Sequence, residues 1–223
     1  SEEEHILPKN DYTGQLNLLA EEAREFFKTK HAAREKALML SRNTIQLAST
    51  AIRCSHRGDF EEAKNLLDRA KISVSEMLDI KNQNPEVYFS GFIQDSQKEY
   101  VEAHTTFALI RNLPLPTPEQ LNISYGPYLN GLGESIGEMR RYILDSLRKG
   151  DSTRSESVLD IMDQIHTELF TMDFPEAITN GLRRTTDAMR GILERTRGDL
   201  TNNVVQQSLE NRIQDILSNL DKS

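Results

Sequence analysis

Amphipathic helical patterning runs through almost the whole chain, and short turn signals interrupt it at intervals. Apolar residues recur every three or four positions, and the strict alternation of a half-buried strand is not seen. A first pattern runs from about Thr13 to His56, with a weak point at Thr29–His31, and Gly58 is its stop. Asp59 caps a second helix reaching about Ile80, with Glu61 and Glu62 in the first turn, where exposed N–H groups favour acids. Asn84-Pro85 opens a third, to about Ile110, because proline lacks only an N–H that the first turn does not need. Pro114, Pro116 and Pro118 make 111–124 a stiff connector. A fourth helix covers about 125–149 and stops at Gly150. A fifth runs from Asp151 or Ser152 to near Phe170. Asp173-Phe-Pro175 opens a sixth, stopped by Gly198, and Thr201 or Asn202 caps a seventh reaching about Leu220. Seven helices with mostly short connections predict an all-α, up-down bundle forming a single domain over 1–223. Residues 1–12 precede the pattern and are expected to be flexible.

Composition narrows the function classes. In 223 residues, 37 % hydrophobic content is enough for one sizeable core, and 28 % charged residues without Trp suit long amphipathic helices. No apolar run approaches the ~20 residues of a membrane span, so no membrane partner is expected. The acidic start Ser1-Glu-Glu-Glu-His5 lacks a basic-then-apolar leader pattern. A single cysteine, Cys54, excludes an intrachain disulfide and a cysteine zinc cluster, and reads as a small buried side chain. These features predict a reducing, cytoplasmic setting. A net charge of −8 opposes a uniformly basic nucleic-acid binder but leaves room for a local basic surface and an acidic cation site.

The third helix carries the most informative residues. On a helical wheel Glu99 falls inside a stripe formed by Phe92, Ala103, Phe107 and Ile110, with Asp95 and Glu102 flanking it on one side. Carboxylates face a core only when paired or bound to metal. Like charges three or four residues apart also oppose the helix by about 0.2–0.5 kcal/mol per pair. Either a cation holds these acids, or the face looks into a wet groove where arginines of neighbouring helices neutralise them. The fourth helix has an apolar stripe through Leu129, Leu132, Ile136, Met139, Ile143 and Leu147. Opposite it lie Glu134 and Glu138, with Arg141 and Asp145, which also read as ordinary surface ion pairs. Carboxylates on facing helices build metal centres in bundle enzymes. Oxygen ligands without Cys or clustered His favour Mg²⁺ or Mn²⁺ over zinc.

Basic residues are more ambiguous. Arg183, Arg190 and Arg197 alternate with Asp187 and Glu194 along one helix face, the pattern of an ion-pair ladder that reads as a solvated or interhelix salt-bridge face, while Arg184 and Arg195 lie on a separate line. His31, Glu35, Arg42, Ser49, Arg53 and His56 share a polar stripe on the first helix. Arg42 and Arg53 can meet phosphates or pair with acids of the third helix. His104 and His166 are isolated and read as structural. Gly131-Leu-Gly133 lies inside a helix and reads as a close-approach point for a neighbouring helix.

Four stretches together resemble the translin–Trax family: Arg34-Glu-Lys-Ala-Leu-Met-Leu-Ser-Arg42, Gly91-Phe-Ile-Gln-Asp-Ser-Gln-Lys-Glu-Tyr-Val-Glu-Ala103, Tyr128-Leu-Asn-Gly-Leu-Gly-Glu-Ser-Ile-Gly-Glu-Met-Arg-Arg141 and Arg195-Thr-Arg-Gly-Asp199. The likeness spans about His31 to Leu200 and implies the family's seven-helix fold. Trax-type members use a Glu-x-x-Glu pair and an acid on a later helix preceding Gly-Glu. Glu99, Glu102 and Glu134 match these and resemble Trax. Glu138 matches the Glu of Gly-Glu, which translin-type members also carry. Eukaryotic Trax proteins usually have Asp where Glu134 stands, and the compact chain resembles prokaryotic, archaeal members. The resemblance implies a Mg²⁺-dependent endoribonuclease (Mn²⁺ being the other candidate ion) acting on single-stranded RNA. Glu99, Glu102 and Glu134 would ligate the metal with help from Glu138, and Arg42, Arg53 and Arg141 would hold nucleic acid. It further implies a closed homo-octamer with the acids facing an internal chamber. The alternative it leaves is a non-catalytic assembly binding single-stranded RNA or DNA.

Overall fold

The computed structural model describes residues 11–220. The acidic stretch 1–10, and the flexibility expected there, lie outside the described residues. Asp11, the first of the described residues, caps the first helix: its carboxylate accepts from the Gly14 N–H at 3.0 Å. The described residues form helices α1 (Tyr12–Arg57), α2 (Phe60–Gln83), α3 (Pro85–Tyr88), α4 (Gly91–Arg111), α5 (Pro118–Leu121), α6 (Tyr125–Arg148), α7 (Ser155–Phe170), α8 (Glu176–Thr179) and α9 (Leu182–Leu220), with no strand among them. The all-α expectation holds, with nine helices rather than seven among the described residues.

The differences have local causes. The weak point at Thr29–His31 does not break α1, which runs unbroken. Gly58 ends α1 as expected because it takes a left-handed φ of 79° that lets Cys54 and Ser55 carbonyls be capped. Gly198 stops nothing: it stays helical, and the expected sixth and seventh helices fuse into α9. A glycine inside a helix costs about 1 kcal/mol but does not end it unless the backbone turns left-handed. That turn occurs earlier, at Asn180 and Gly181, and separates short α8 from α9. Ser90 is extended and splits the expected third helix into α3 and α4. The proline connector contains α5, held by a capping box between Thr117 and Gln120.

Packing follows one continuous path. α1 lies against α2 and α4, α4 against α6, and α6 against both α7 and α9. One core cluster joins α1, α2, α4 and α6 around Leu47, Ile52, Leu67, Val74, Tyr100 and Val101. A second joins α6, α7 and α9 around Ile136, Met139, Met162, Leu182 and Leu193. Each such aliphatic side chain stabilises the fold by about 1.5–3 kcal/mol when fully buried. Cys54 is buried, as its residue type suggested. Arg154, just before α7, donates to the Leu109 and Ile110 carbonyls at 2.9 and 2.6 Å and so closes the C-terminal end of α4. α4 is therefore the central helix, flanked on both sides. No described helix is long and apolar enough to cross a membrane.

Candidate metal centre

Glycine sets the separation between α4 and α6. A Cβ on Gly131 would lie 2.5 Å from the Lys98 carbonyl oxygen and 2.7 Å from Val101 Cβ. Only glycine lets the two helices come this close, which is the role its sequence context suggested. Three residues later Glu134 leaves α6 toward α4. There it meets Glu99 and Glu102, one turn apart on α4. One carboxylate oxygen from each of the three lies within 4.8 Å of the others. The three acids singled out from the sequence thus converge on one point.

Their depths differ from the wheel. Glu102 is the most enclosed, at 9 % exposed, Glu99 is half-buried, and Asp95 is open to solvent. The wheel placed Glu99 deepest because it assumed one core-facing stripe, whereas α4 has neighbours on two sides. Burial, then the charges of Glu99, Glu134 and Glu138, push the Glu102 carboxyl up to about 8, with Lys98 opposing. Burial and the Glu134 charge also raise Glu99, with smaller contributions from Asp95 and Glu138. Glu99 and Glu102 raised in this way favour any added positive charge, whether protons or a cation.

Two further side chains, neither assigned to the site from the sequence, complete the surroundings. Lys98 Nζ lies 2.9 Å from Glu134 Oε1 and 4.0 Å from Asp95 Oδ1. Burial alone would lower the Lys98 pKa, but the hydrogen bond and charge of Glu134, with Asp95 and Glu99, raise it. His56 is almost fully buried and places Nε2 2.6 Å from Glu138 Oε2. Glu138 therefore leans away from the trio onto α1, although its charge still reaches Glu99 and Glu102. Lys98 reads in sequence as a surface partner of Asp95, at i+3. His56 gave one usable signal, its place on the polar stripe of α1.

The arginines fall into separate places. Arg141 sits between Glu138 and Asp145 at 3.9 and 3.8 Å, as the ion-pair reading of α6 had it. Arg53 is exposed one turn before His56 and donates to Thr50 Oγ1 at 3.0 Å. Arg42 is exposed. Neither forms an ion pair with an acid of α4 among the described residues, so the pairing alternative for them fails. The α9 face makes an interhelix salt bridge, as its pattern suggested, rather than a ladder within the helix. Arg197 reaches Asp163 on α7 at 3.0 Å, and Arg190 lies over the Phe170 ring. His104 packs edge-on against Tyr100, and burial holds it down at about 4, in keeping with a structural histidine.

No family model matches the chain. A crystal structure of AfC3PO, a translin–Trax protein, superposes with a TM-score of 0.76 at 30 % identity, covering 84 % of this chain and 97 % of that one. The chain belongs to the translin/Trax family. It is a Trax-like member of the archaeal kind. A complex of AfC3PO with duplex RNA superposes with a TM-score of 0.74 at 29 % identity over the same shares of the two chains. Apo-NeC3PO shares the translin fold at a TM-score of 0.74 and 20 % identity, over 89 % and 98 % of the chains. An uncharacterized protein of Methanocaldococcus jannaschii is 29 % identical over 177 residues, 78 % of each chain. The stretches resembling translin and Trax are tied together in space. Arg140 in the third pairs with Asp199 in the fourth at 2.8 Å and donates to Thr196 Oγ1 at 3.2 Å.

Proposed function

We propose that this translin/Trax-family chain is a Mg²⁺-dependent endoribonuclease that cleaves single-stranded RNA inside a homo-oligomeric shell in the cytoplasm. The observation that carries the reading is the convergence of Glu99, Glu102 and Glu134 on one point. Two oxygens on opposite sides of Mg²⁺ are about 4.2 Å apart at about 2.1 Å per bond. The 4.8 Å spread of the trio is close to that span. Three hard oxygen donors without sulfur or imidazole fit Mg²⁺ or Mn²⁺, and the raised acids favour its charge. Bound there, the ion supplies Lewis-acid polarisation of a phosphate and a more acidic water.

The chain's own residues supply the rest. Glu99, Glu102 and Glu134 hold the centre, and Glu138, fixed by His56, contributes charge from beside it. Lys98 steadies Glu134 and presents positive charge at the mouth of the site. Arg141, Arg42 and Arg53 are the exposed cations assigned to the RNA backbone. The AfC3PO complex with duplex RNA supports RNA as the ligand class.

Self-association is supported by the outer ends of α1 and α9. Leu16, Leu19 and Phe26 on α1 and Val205, Leu209, Ile213, Ile216 and Leu220 on α9 form exposed apolar lines at helical spacing. Such lines need a partner, and a second copy of the chain supplies one. The octamer of the translin/Trax resemblance is the assembly we assign.

The second reading is a non-catalytic RNA- or DNA-binding assembly. It draws on Lys98, whose ammonium already neutralises Glu134. The two separate in one experiment: labelled single-stranded and duplex RNA are incubated with wild type and Glu99→Ala, in Mg²⁺ and in EDTA. The nuclease reading expects product only from wild type with Mg²⁺. Equal cleavage by both proteins overturns the site, and EDTA-resistant binding without product under any condition supports the second reading.

A further inference from the structure

A cleft of about 450 Å³ opens directly beside the carboxylate trio, between α4, α6 and the turn joining α8 to α9. Its size lies within the range of about 300–1,000 Å³ that single small ligands fill. Glu134 belongs to both the cleft and the trio, and its ion-pair partner Lys98 also lines the cleft, so an occupant of one touches the other.

The floor is rigid for identifiable reasons. Asn130 is 3 % exposed and donates to the Gly126 and Thr179 carbonyls at 2.9 and 2.8 Å. Its Oδ1 accepts from Thr185 Oγ1 at 2.6 Å. One side chain thereby ties α6 to both sides of the α8–α9 turn. Asn180 is held in the left-handed region at φ 55° and packs so closely on Gly126 that a Cβ there would lie 2.0 Å from its Oδ1.

Two groups in the cleft lack partners. Gln94 accepts from Asn180 Nδ2 at 3.3 Å through Oε1, but its Nε2 is shielded from solvent with no acceptor. A small rotation of that amide would satisfy it with an acceptor seated in the cleft. Arg184 is exposed on the rim, and no described carboxylate lies within 4.0 Å of it. The other cation, Lys98, is already engaged by Glu134 and Asp95. Glu176 adds a further acid at the edge. An anionic group is thus drawn to Arg184, the lining cation that no described carboxylate engages.

We infer that this cleft holds one unstacked RNA nucleotide next to the scissile phosphate, with Arg184 on its phosphate and the Gln94 amide on its base edge. The inference rests on the RNA reading above and adds to it a source of single-strand selectivity. A base can enter a pocket of this kind only after leaving its stack, which a single strand permits at much lower cost than a duplex. Carboxamides are suited to base edges, and a guanidinium to phosphate.

The test uses the full chain and a short fluorescent single-stranded RNA in EDTA, with binding followed by anisotropy across a salt series. Arg184→Ala is expected to weaken binding about tenfold and to reduce the salt slope by about one, as loss of one phosphate contact requires. Gln94→Leu is expected to weaken single-stranded RNA severalfold and to leave duplex RNA unchanged, with the salt slope intact. Arg184→Lys is expected to recover the slope but only part of the affinity. Unchanged affinity and slope in Arg184→Ala, with wild-type RNA binding intact, overturn the cleft and leave the nuclease reading standing. Loss of affinity for single strand and duplex alike in Gln94→Leu overturns the base contact. Failure of wild type to bind RNA overturns both.

Discussion

The α4–α6 junction and the outer ends of α1 and α9 break the inside–outside rule in opposite directions. At the junction, carboxylates are enclosed: Glu102 is held 9 % exposed beside two other acids. At the helix ends, large apolar side chains are open, Leu16 at 65 % and Ile216 at 61 %. Buried charge and exposed hydrocarbon are both costly in an isolated chain. One region holds more carboxylates than Lys98 alone can balance, and the other lacks a neighbouring surface. The regions are separate along the chain, so each can be altered without touching the other.

The largest expected effect is on the helix ends. Leu209→Glu combined with Ile216→Glu places charge on the apolar line of α9 and is expected to abolish the large assembly at micromolar concentration. Light scattering on the eluting protein reads this directly, and an unchanged mass would show that the α9 line is not an interface. Next comes the junction. Glu134→Ala is expected to reduce Mg²⁺-dependent cleavage at least about a hundredfold, since even outer partners of metal ligands are worth about 10–100-fold. Its assembled mass should not change. Glu134→Asp, shorter by one bond, should retain activity within about tenfold of wild type, and a loss equal to that of alanine would show that the longer arm is required.

The third effect is on stability. The Glu102 carboxyl stands at about 8 in the folded chain against an ordinary value of 4.5. The folded state therefore binds more protons than the unfolded state between these values. The contribution is fully present below about 4.5 and is lost as pH rises through about 8. Urea unfolding in EDTA should show wild type losing on the order of 3 kcal/mol relative to Glu102→Gln between pH 5 and pH 9. Parallel curves would remove the buried-acid account. Mg²⁺ should flatten the wild-type fall.

A smaller loss is expected from Gly131→Ala, whose methyl meets the α4 backbone. About 1–3 kcal/mol of overpacking strain is expected. Cleavage should fall with it, because Glu134 is carried on the same helix surface. Gly198→Ala, at an open helical position, is the contrast and should stabilise by about 1 kcal/mol. The smallest effect is on metal affinity. Each ion bound to the trio displaces up to one proton from Glu102, so Mg²⁺ affinity by titration calorimetry should rise up to about tenfold per pH unit from pH 6 to pH 8. A flat profile would place the ion elsewhere.

Legibility in the sequence followed how local each cause was. Gly58 and Asn84-Pro85 mark true helix boundaries because their effects act within one turn. Gly198 misled because a glycine stop depends on the backbone that follows, and there α9 continues, tied to α6 through Arg140–Asp199. Glu99 and Glu102 were identifiable because acids on an apolar face conflict with their own helix, whereas Glu134, opposite the apolar stripe of its helix, was singled out through the translin–Trax resemblance. His56 and Lys98 were not, because each acts across helices, on Glu138 and Glu134. Which partners the α9 arginines take was not legible for the same reason: Arg197 and Arg190 find theirs on α7.

The sequence by itself determined the helical class, most helix ends and the pair Glu99 and Glu102. These depend on periodicity, caps and side-chain type, which are properties of neighbours in the chain. Only the tertiary structure decided that α4 is enclosed on two sides, that Glu102 rather than Glu99 lies deepest, and that Glu138 turns to His56. It also decided that a cleft with an unpaired Arg184 lies beside the acids. Those outcomes depend on how closely Gly131 lets α6 approach α4, a distance no single helix can encode.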